Sequence, residues 1–173
     1  TDSVHPAPAL PLAGGHLCFT HVERLSRREP PEILPAEQLP YNWKIRLCEA
    51  RSSIAQVSFD RPRIMGIVNV TPDSFSDGGR YNSLNSAVKH ARSLDEQGAD
   101  FLDIGGESTR PGSVGVSAET EIERIEPVID RGRDLNAAIS VDTRKALVAE
   151  IAIACGASLV NDVSGFQFDP ELL

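Results

Sequence analysis

From residue 63 onward, short apolar segments alternate with longer segments of helical periodicity, and this alternation restricts the possible folds more than any other feature. The apolar segments are too short to be helices, and their lack of polar alternation is typical of strands that are buried on both faces. Glycines at 98 and 156 mark helix ends. We predict strands at 64–68, 101–104, 138–141 and 158–160, and helices at 83–97, from 117 and from 143 to 155.

This order of elements predicts an α/β fold in which a parallel sheet is covered by helices. Two architectures are compatible with it: the first four βα units of a (β/α)8 barrel, which needs about 250 residues, or a complete open doubly wound sheet. The last residues read as a helix start, with Asp169 as N-cap and Pro170 in the first turn. That beginning of a further unit favours the truncated barrel.

Residues 1–62 have a different character and are predicted to be a Pro-rich N-terminal extension of the barrel segment at 63–173. Seven of the twelve prolines lie before residue 41, a density that disfavours long helices and interior strands. We expect only a short strand within 16–22, a short helix at 39–50 and a strand at 54–59.

Composition excludes several classes of function. The net charge of −8 argues against a nucleic-acid-binding protein, since the phosphate backbone is bound by basic surfaces. Three widely spaced cysteines are not a disulfide framework and fit a reducing cytoplasm. The sequence contains no apolar run of about 20 residues, so no membrane association is expected.

Polar side chains stand at the end of every predicted strand: Asn69, Asp103, Asp142 and Asn161. Because parallel strands bring their carboxyl ends to one edge, these groups should face a common pocket. Carboxylates and amides can read the N–H groups of an amino-heterocycle or bind a hard cation. For Asp142, capping of the next helix is an equally good explanation. Lys145 is expected to be solvated.

Two glycine-containing loops follow the first two strands. The first strand and its loop read IMGIVNVTPDSFSDGG at 64–79, and the second loop reads GGESTRPGSVG at 105–115. Ser108, Thr109 and Arg110 form a cationic, hydroxyl-rich segment that suits a phosphate or diphosphate group.

These stretches, together with ISVDT at 139–143 and LVNDVSG at 159–165, resemble the dihydropteroate synthase family. The resemblance covers about residues 63–173. It implies condensation of 6-hydroxymethyl-7,8-dihydropterin diphosphate with para-aminobenzoate, assisted by Mg²⁺, in an enzyme that is usually a homodimer. The family takes further binding residues from the second half of its barrel, so we expect this chain alone to be inactive.

The resemblance also implies roles for individual residues. Asp77 and Arg110 would act in catalysis, and Asn69 would bind the metal. Two other functions stay open: a pterin-binding methyltransferase, and a non-catalytic fragment or paralogue that acts as a binding module. The substrate-binding residues implied by the resemblance are Asp103, Thr109, Asp142, Asn161, Phe75, Pro111 and Ser108.

Overall fold

The computed structural model describes residues 9–71, 79–108, 113 and 115–172, with the backbone alone for 79–83. It contains two compact units. One holds the described residues up to 53 together with 58–62, and the other holds 54–57 and the described residues from 63 onward. Across these described ranges, no helix has the length and apolar character that a membrane crossing requires.

The first unit consists of two small antiparallel hairpins and one helix. Strands β1 and β2 pair in one hairpin, and β3 and β4 pair in the other. The helix α1 begins after Pro40, as predicted from the missing N–H of proline. The bounds are β1 Leu10–Pro11, β2 Cys18–Phe19, β3 His21–Arg24, β4 Glu32–Pro35 and α1 Tyr41–Cys48.

The strand predicted at 54–59 is wrong. Ile54 and Val57 form an isolated antiparallel bridge, and the two residues between them turn the chain back on itself. Ala55 and Gln56 have φ of 48° and 65°, the pair of left-handed conformations found in a tight two-residue turn. The alternation of apolar and polar residues therefore arises within a turn.

The second unit is a four-stranded parallel sheet in the order β5-β6-β7-β8, with a helix in each connection. From residue 63 onward, every strand and helix predicted from periodicity is present, and the largest difference is the earlier start of the first helix. Its elements are β5 Met65–Asn69, α2 Gly79–Glu96, β6 Phe101–Gly105, α3 Ala118–Asp130, β7 Ala138–Asp142, α4 Ala146–Cys155 and β8 Leu159–Asn161.

The helices pack on one face of this sheet. A Cβ atom at Gly66 would lie 2.8 Å from the Leu94 side chain of α2, so this face of β5 is in close contact with that helix. Val68 on the same face is buried, whereas Met65 and Ile67 on the opposite face are 40% and 60% exposed. A doubly wound sheet reverses its strand order and is covered on both faces. The sequential strand order, with the helices packed on one face, is that of a barrel segment.

The helix N-termini are capped in two ways. Ser117 accepts a hydrogen bond from Thr120 N at 3.3 Å, which confirms the predicted cap of α3. The helix predicted from residue 143 begins only at Ala146, so Thr143, which its residue type suits to capping, is not the N-cap, and the N-cap residue Lys145 makes no side-chain cap bond. Asp169 takes over this function: its Oδ2 accepts from Ala146 N at 2.8 Å.

We expect Asp169→Ala to lower the free energy of unfolding by about 1–2 kcal/mol, the usual effect of removing a helix cap. Asp169 Oδ1 also accepts from Glu171 N at 3.1 Å, so the substitution also removes a local bond. Urea unfolding measures the loss. Asp169→Asn keeps an acceptor and should lose only a small part of it, whereas an equal loss in both variants would contradict the capping role.

Candidate active site

Three of the four predicted strand-end residues, Asn69, Asp142 and Asn161, lie in one row across the sheet, and Gly105 holds the β6 position of that row. Asn69 is in register with Gly105, Gly105 with Asp142, and Asp142 with Asn161. A Cβ atom at Gly105 would lie 3.2 Å from Asp142 Oδ2, so the glycine leaves room for the Asp142 side chain. In-register residues of a parallel sheet point to the same face, which places these polar groups at one edge of the face that the helices leave open.

Asp103 lies one step further into the sheet and is buried, with 5% of its surface exposed. Its Oδ1 accepts a 2.6 Å hydrogen bond from Ser140 Oγ, and its Oδ2 accepts a 2.8 Å bond from Asn161 Nδ2. A buried carboxylate requires such partners. Here the protein itself provides them, and one of them, Ser140, was not singled out from the sequence although it lies two residues before Asp142 on β7.

Asp142 is half-buried and has the most perturbed carboxyl group of the row. Burial raises the pKa of Asp142 to about 6, and the negative charges of Asp103 and Glu121 act in the same direction. At neutral pH the group is mainly ionised in surroundings that disfavour its charge. A ligand that donates hydrogen bonds or carries positive charge would relieve this condition.

A buried ion network lies behind the row, and sequence reasoning missed it. Lys145 was expected to be solvated, which is wrong: its side chain is 14% exposed and its Nζ contacts Glu107 Oε2 and Glu121 Oε2. Arg144 reaches Glu107 Oε1 at 2.8 Å. Glu121 is fully buried. The available signal was its position four residues before buried Ile125 on α3, in line with the apolar stripe.

In this network, burial is opposed by hydrogen bonds and opposite charges, which together set the direction of the pKa shifts. Burial would raise the pKa of Glu107, but the bonds from Lys145 and Arg144 outweigh it and hold that pKa below its usual value. Burial likewise opposes the charge of Lys145, yet its two glutamate partners keep its pKa raised. The network therefore fixes the start of the second loop, immediately before Ser108, to the start of α4.

The loop after β8 is organised by Asp162. Its carboxylate accepts hydrogen bonds from Ser164 N and Ser164 Oγ at 2.7 and 2.8 Å and from Phe166 N at 2.7 Å. The ring of Phe168 lies 4.0 Å from the Arg144 guanidinium carbon. Asp162 thus shapes the loop beside Asn161.

The structure places five of the predicted site residues. Asn69 and Asn161 are exposed at the row, Asp142 lies between them, Asp103 is beneath them, and Ser108 is partly buried in the second loop. The other five positions lie outside the described residues; they are Phe75, Asp77, Thr109, Arg110 and Pro111.

The donor set does not form a complete metal cage. Among the residues that the structure describes, no group of three or more His, Cys, Asp or Glu side chains could hold a metal ion. The oxygen donors at the row, the amide of Asn69 foremost, suit a hard cation that takes most of its ligands from water or from a bound phosphate.

Comparison with known proteins identifies the family to which this α/β unit is similar. Residues 65–173 match the family model described as pterin binding enzyme. The dihydropteroate synthase of Bacillus subtilis is 52% identical over 114 residues, which are 65% of this chain and 40% of that protein. This chain therefore spans about two fifths of the length of that relative.

Solved structures show the same partial match. The Xanthomonas albilineans dihydropteroate synthase with 4-aminobenzoic acid is 53% identical, with a TM-score of 0.62 over 64% of this chain and 41% of that one. Its complex with 7,8-dihydropteroate is 48% identical, with a TM-score of 0.57 over 64% and 40%. The fold class predicted from the sequence, the first four βα units of a (β/α)8 barrel, is confirmed. Since the family model covers well over half of its residues, this chain belongs to the pterin-binding enzyme family.

Proposed function

We propose that this chain provides the first half of a dihydropteroate synthase active site. The reaction joins 6-hydroxymethyl-7,8-dihydropterin diphosphate to para-aminobenzoate and releases diphosphate. One observation carries the proposal: Asp142 and Asn161 stand in register at the edge of the sheet, above the buried carboxylate of Asp103. The relatives named dihydropteroate synthase support it, because about half of the aligned residues are identical.

The charges of the site suit this chemistry. Breaking the C–O bond to diphosphate leaves positive charge on the pterin methylene carbon, and the lone pair of the aromatic amine then forms the new C–N bond before an amine proton leaves. Carboxylates already in place stabilise such a cation without reorganisation. Asp103, Asp142 and the buried Glu121 would contribute negative potential there, and the charges of Asp103 and Glu121 add to the effect of burial in raising the pKa of Asp142.

The loop residues enter the proposal through the resemblance. Asp77 and Arg110 would act on the cation and the leaving group, and Phe75 and Pro111 would contact the aminobenzoate ring. Ser108 and Thr109 would bind near the diphosphate. Ser108 directly follows Glu107, whose carboxylate is tied to Lys145 at 2.6 Å, so the loop begins at an anchored point.

Mg²⁺ is the cofactor of the proposal. Asn69 would hold it at the end of β5, and bound Mg²⁺ would offset the negative charge of the departing diphosphate. The isolated amide fits an ion that takes most of its ligands from diphosphate and water. A homodimer and a cytoplasmic location, both expected for this family, complete the proposal.

A chimera tests the proposed function. Residues 65–173 replace the matching segment of the Bacillus subtilis dihydropteroate synthase, and formation of dihydropteroate is measured. We expect turnover within about tenfold of the parent enzyme, since complementary halves of a barrel restore the full strand row. The isolated 173-residue chain should show no turnover.

The control is the same chimera carrying Asn161→Ala, which should lose most of the activity. A folded but inactive chimera would contradict the enzymatic proposal. If such a chimera still bound 7,8-dihydropteroate, the result would favour the alternative of a non-catalytic binding module.

A further inference from the structure

The side-chain amide of Asn161 is held by a buried carboxylate. Asn161 Nδ2 donates to Asp103 Oδ2 at 2.8 Å, and Ser140 Oγ donates to Asp103 Oδ1 at 2.6 Å. We propose that Asp103 and Ser140 are positioning residues that fix the Asn161 amide with its carbonyl oxygen turned toward the ligand. This inference rests on the proposed function, since it concerns the same pocket.

The orientation follows from the chemistry of the partners. An ionised carboxylate only accepts hydrogen bonds, so the amide must turn its nitrogen toward Asp103. Rotating the Asn161 amide by a half-turn would place Oδ1 against Asp103 Oδ2, two acceptors at hydrogen-bond distance in a site where Asp103 is 5% exposed. Repulsion between unpaired acceptors is strong where water is excluded.

Ser140 completes the arrangement. It is fully buried, and it is the register partner of Asp103 across β6 and β7. Its hydroxyl donates a hydrogen bond to the second carboxylate oxygen of Asp103. Both oxygens of Asp103 are therefore restrained, which keeps the carboxylate turned toward Asn161. The three residues are thus linked by two consecutive hydrogen bonds, from Ser140 through Asp103 to the exposed amide of Asn161.

This chain of bonds determines which ligands the pocket selects. Asn161 Oδ1 is the amide atom that Asp103 does not engage, and Asn161 is in register with Asp142 on β7. The amide oxygen of Asn161 and the carboxylate of Asp142 together give this edge of the pocket several hydrogen-bond acceptors. Such an edge favours an amino-heterocycle that presents adjacent N–H donors and disfavours one that presents bare ring nitrogens.

The test uses the chimera described above, in which both halves of the barrel are present, with 7,8-dihydropteroate as the probe and affinity measured by calorimetry. The wild type in this test is the chimera without further substitutions. Asp103→Asn places an amide beside Asn161 and so allows both orientations of that side chain. We expect binding to weaken by about tenfold or more. The double variant Asp103→Asn with Asn161→Asp should recover to within about threefold of the wild type, because a carboxylate at position 161 presents an acceptor in any orientation.

A purely structural role for Asp103 predicts no such recovery. Ser158→Ala is the matched control, since Ser158 Oγ donates a 3.4 Å hydrogen bond to Ile139 O, outside the row of strand-end residues. The affinity of this variant for 7,8-dihydropteroate should be unchanged. Unaltered binding by Asp103→Asn, or a double variant as weak as that single variant, would overturn the inference.

A ligand-free measurement separates this inference from the proposed function. In the wild type, the Asn161 Nδ2 proton that faces Asp103 should resonate downfield and exchange slowly in NMR spectra, and Asp103→Asn should move it upfield. If the wild type does not bind 7,8-dihydropteroate, the proposed function fails and the NMR comparison alone decides the inference. Identical amide spectra in the two proteins would then refute the fixed orientation.

Discussion

Lys145→Met lowers the free energy of unfolding by about 3–5 kcal/mol, the expected cost of removing one partner from a buried ion pair. Lys145 is bonded to two glutamates, of which Glu121 is fully buried and Glu107 is 9% exposed. Without the ammonium group, the buried Glu121 carboxylate loses its ion pair with Lys145. Its Oε1 already finds no hydrogen-bond partner among the described residues. Urea unfolding measures the loss.

Two further variants make this prediction specific. Lys89→Met is the matched control, because Lys89 is an exposed lysine of α2, and it should change stability by less than about 0.5 kcal/mol. Lys145→Met combined with Glu121→Leu removes the unpaired charge as well and should recover most of the loss. A double variant as unstable as Lys145→Met would show that packing of the lysine stem, and not its charge, stabilises this region.

The contribution of this ion network to stability depends on pH. The pKa of Glu107 is lowered in the folded state, so its contribution is present above the pKa of the unfolded chain and is lost as the pH falls. The pKa of Lys145 is raised, so its contribution is lost only at high pH. The difference in stability between wild type and Lys145→Met should therefore be largest near neutral pH and shrink in acid.

Local patterns were sufficient to predict the parallel sheet and its row of strand ends. Buried parallel strands need short apolar runs, and a polar residue directly after such a run must lie at the carboxyl edge; Asn69 and Asn161 were placed in this way. The network was not predictable, because Lys145 and Glu121 are 24 residues apart and their burial depends on how two helices pack.

The cap of α4 escaped prediction for a related reason. Thr143 is a good N-cap residue in a suitable position, but Asp169 from a later part of the chain provides the bond, which no local pattern encodes. At 54–57 the error has the opposite form, because a local pattern was present but predicted the wrong structure. Alternating polarity there resembles a strand, whereas the left-handed conformations of Ala55 and Gln56 have no signal in residues of those types.

Asp142→Asn should change stability and ligand binding in opposite directions. The pKa of Asp142 is about 6 in the folded chain, above its ordinary value of 3.8, chiefly because of burial. The folded state therefore binds more protons than the unfolded state between these two values, and stability falls as the pH rises through this window. At pH 7.5 the amide removes this penalty, and we expect the free energy of unfolding to rise by about 2 kcal/mol after allowance for partial exposure.

Binding should respond in the opposite way, because the ionised carboxylate is what the proposed ligand meets. Replacing it by an amide removes a charged acceptor from the row and should weaken 7,8-dihydropteroate binding by about 100-fold. Unfolding in urea from pH 4 to 8 measures the first effect, and calorimetry measures the second. Asp130→Asn, an exposed carboxylate on α3, is the control and should leave both quantities nearly unchanged.

A variant of Asp142 that is less stable than the wild type at pH 7.5, or whose stability falls between pH 4.5 and 7.5 as steeply as that of the wild type, would contradict the origin assigned to the raised pKa. The expected combination has a simple physical basis. Burial and the neighbouring negative charges both destabilise the Asp142 carboxylate in the empty site, and the same carboxylate attracts N–H donors and stabilises a developing cation. A pocket of this kind becomes most stable when its ligand is bound, so dihydropteroate should stabilise the wild type more than Asp142→Asn.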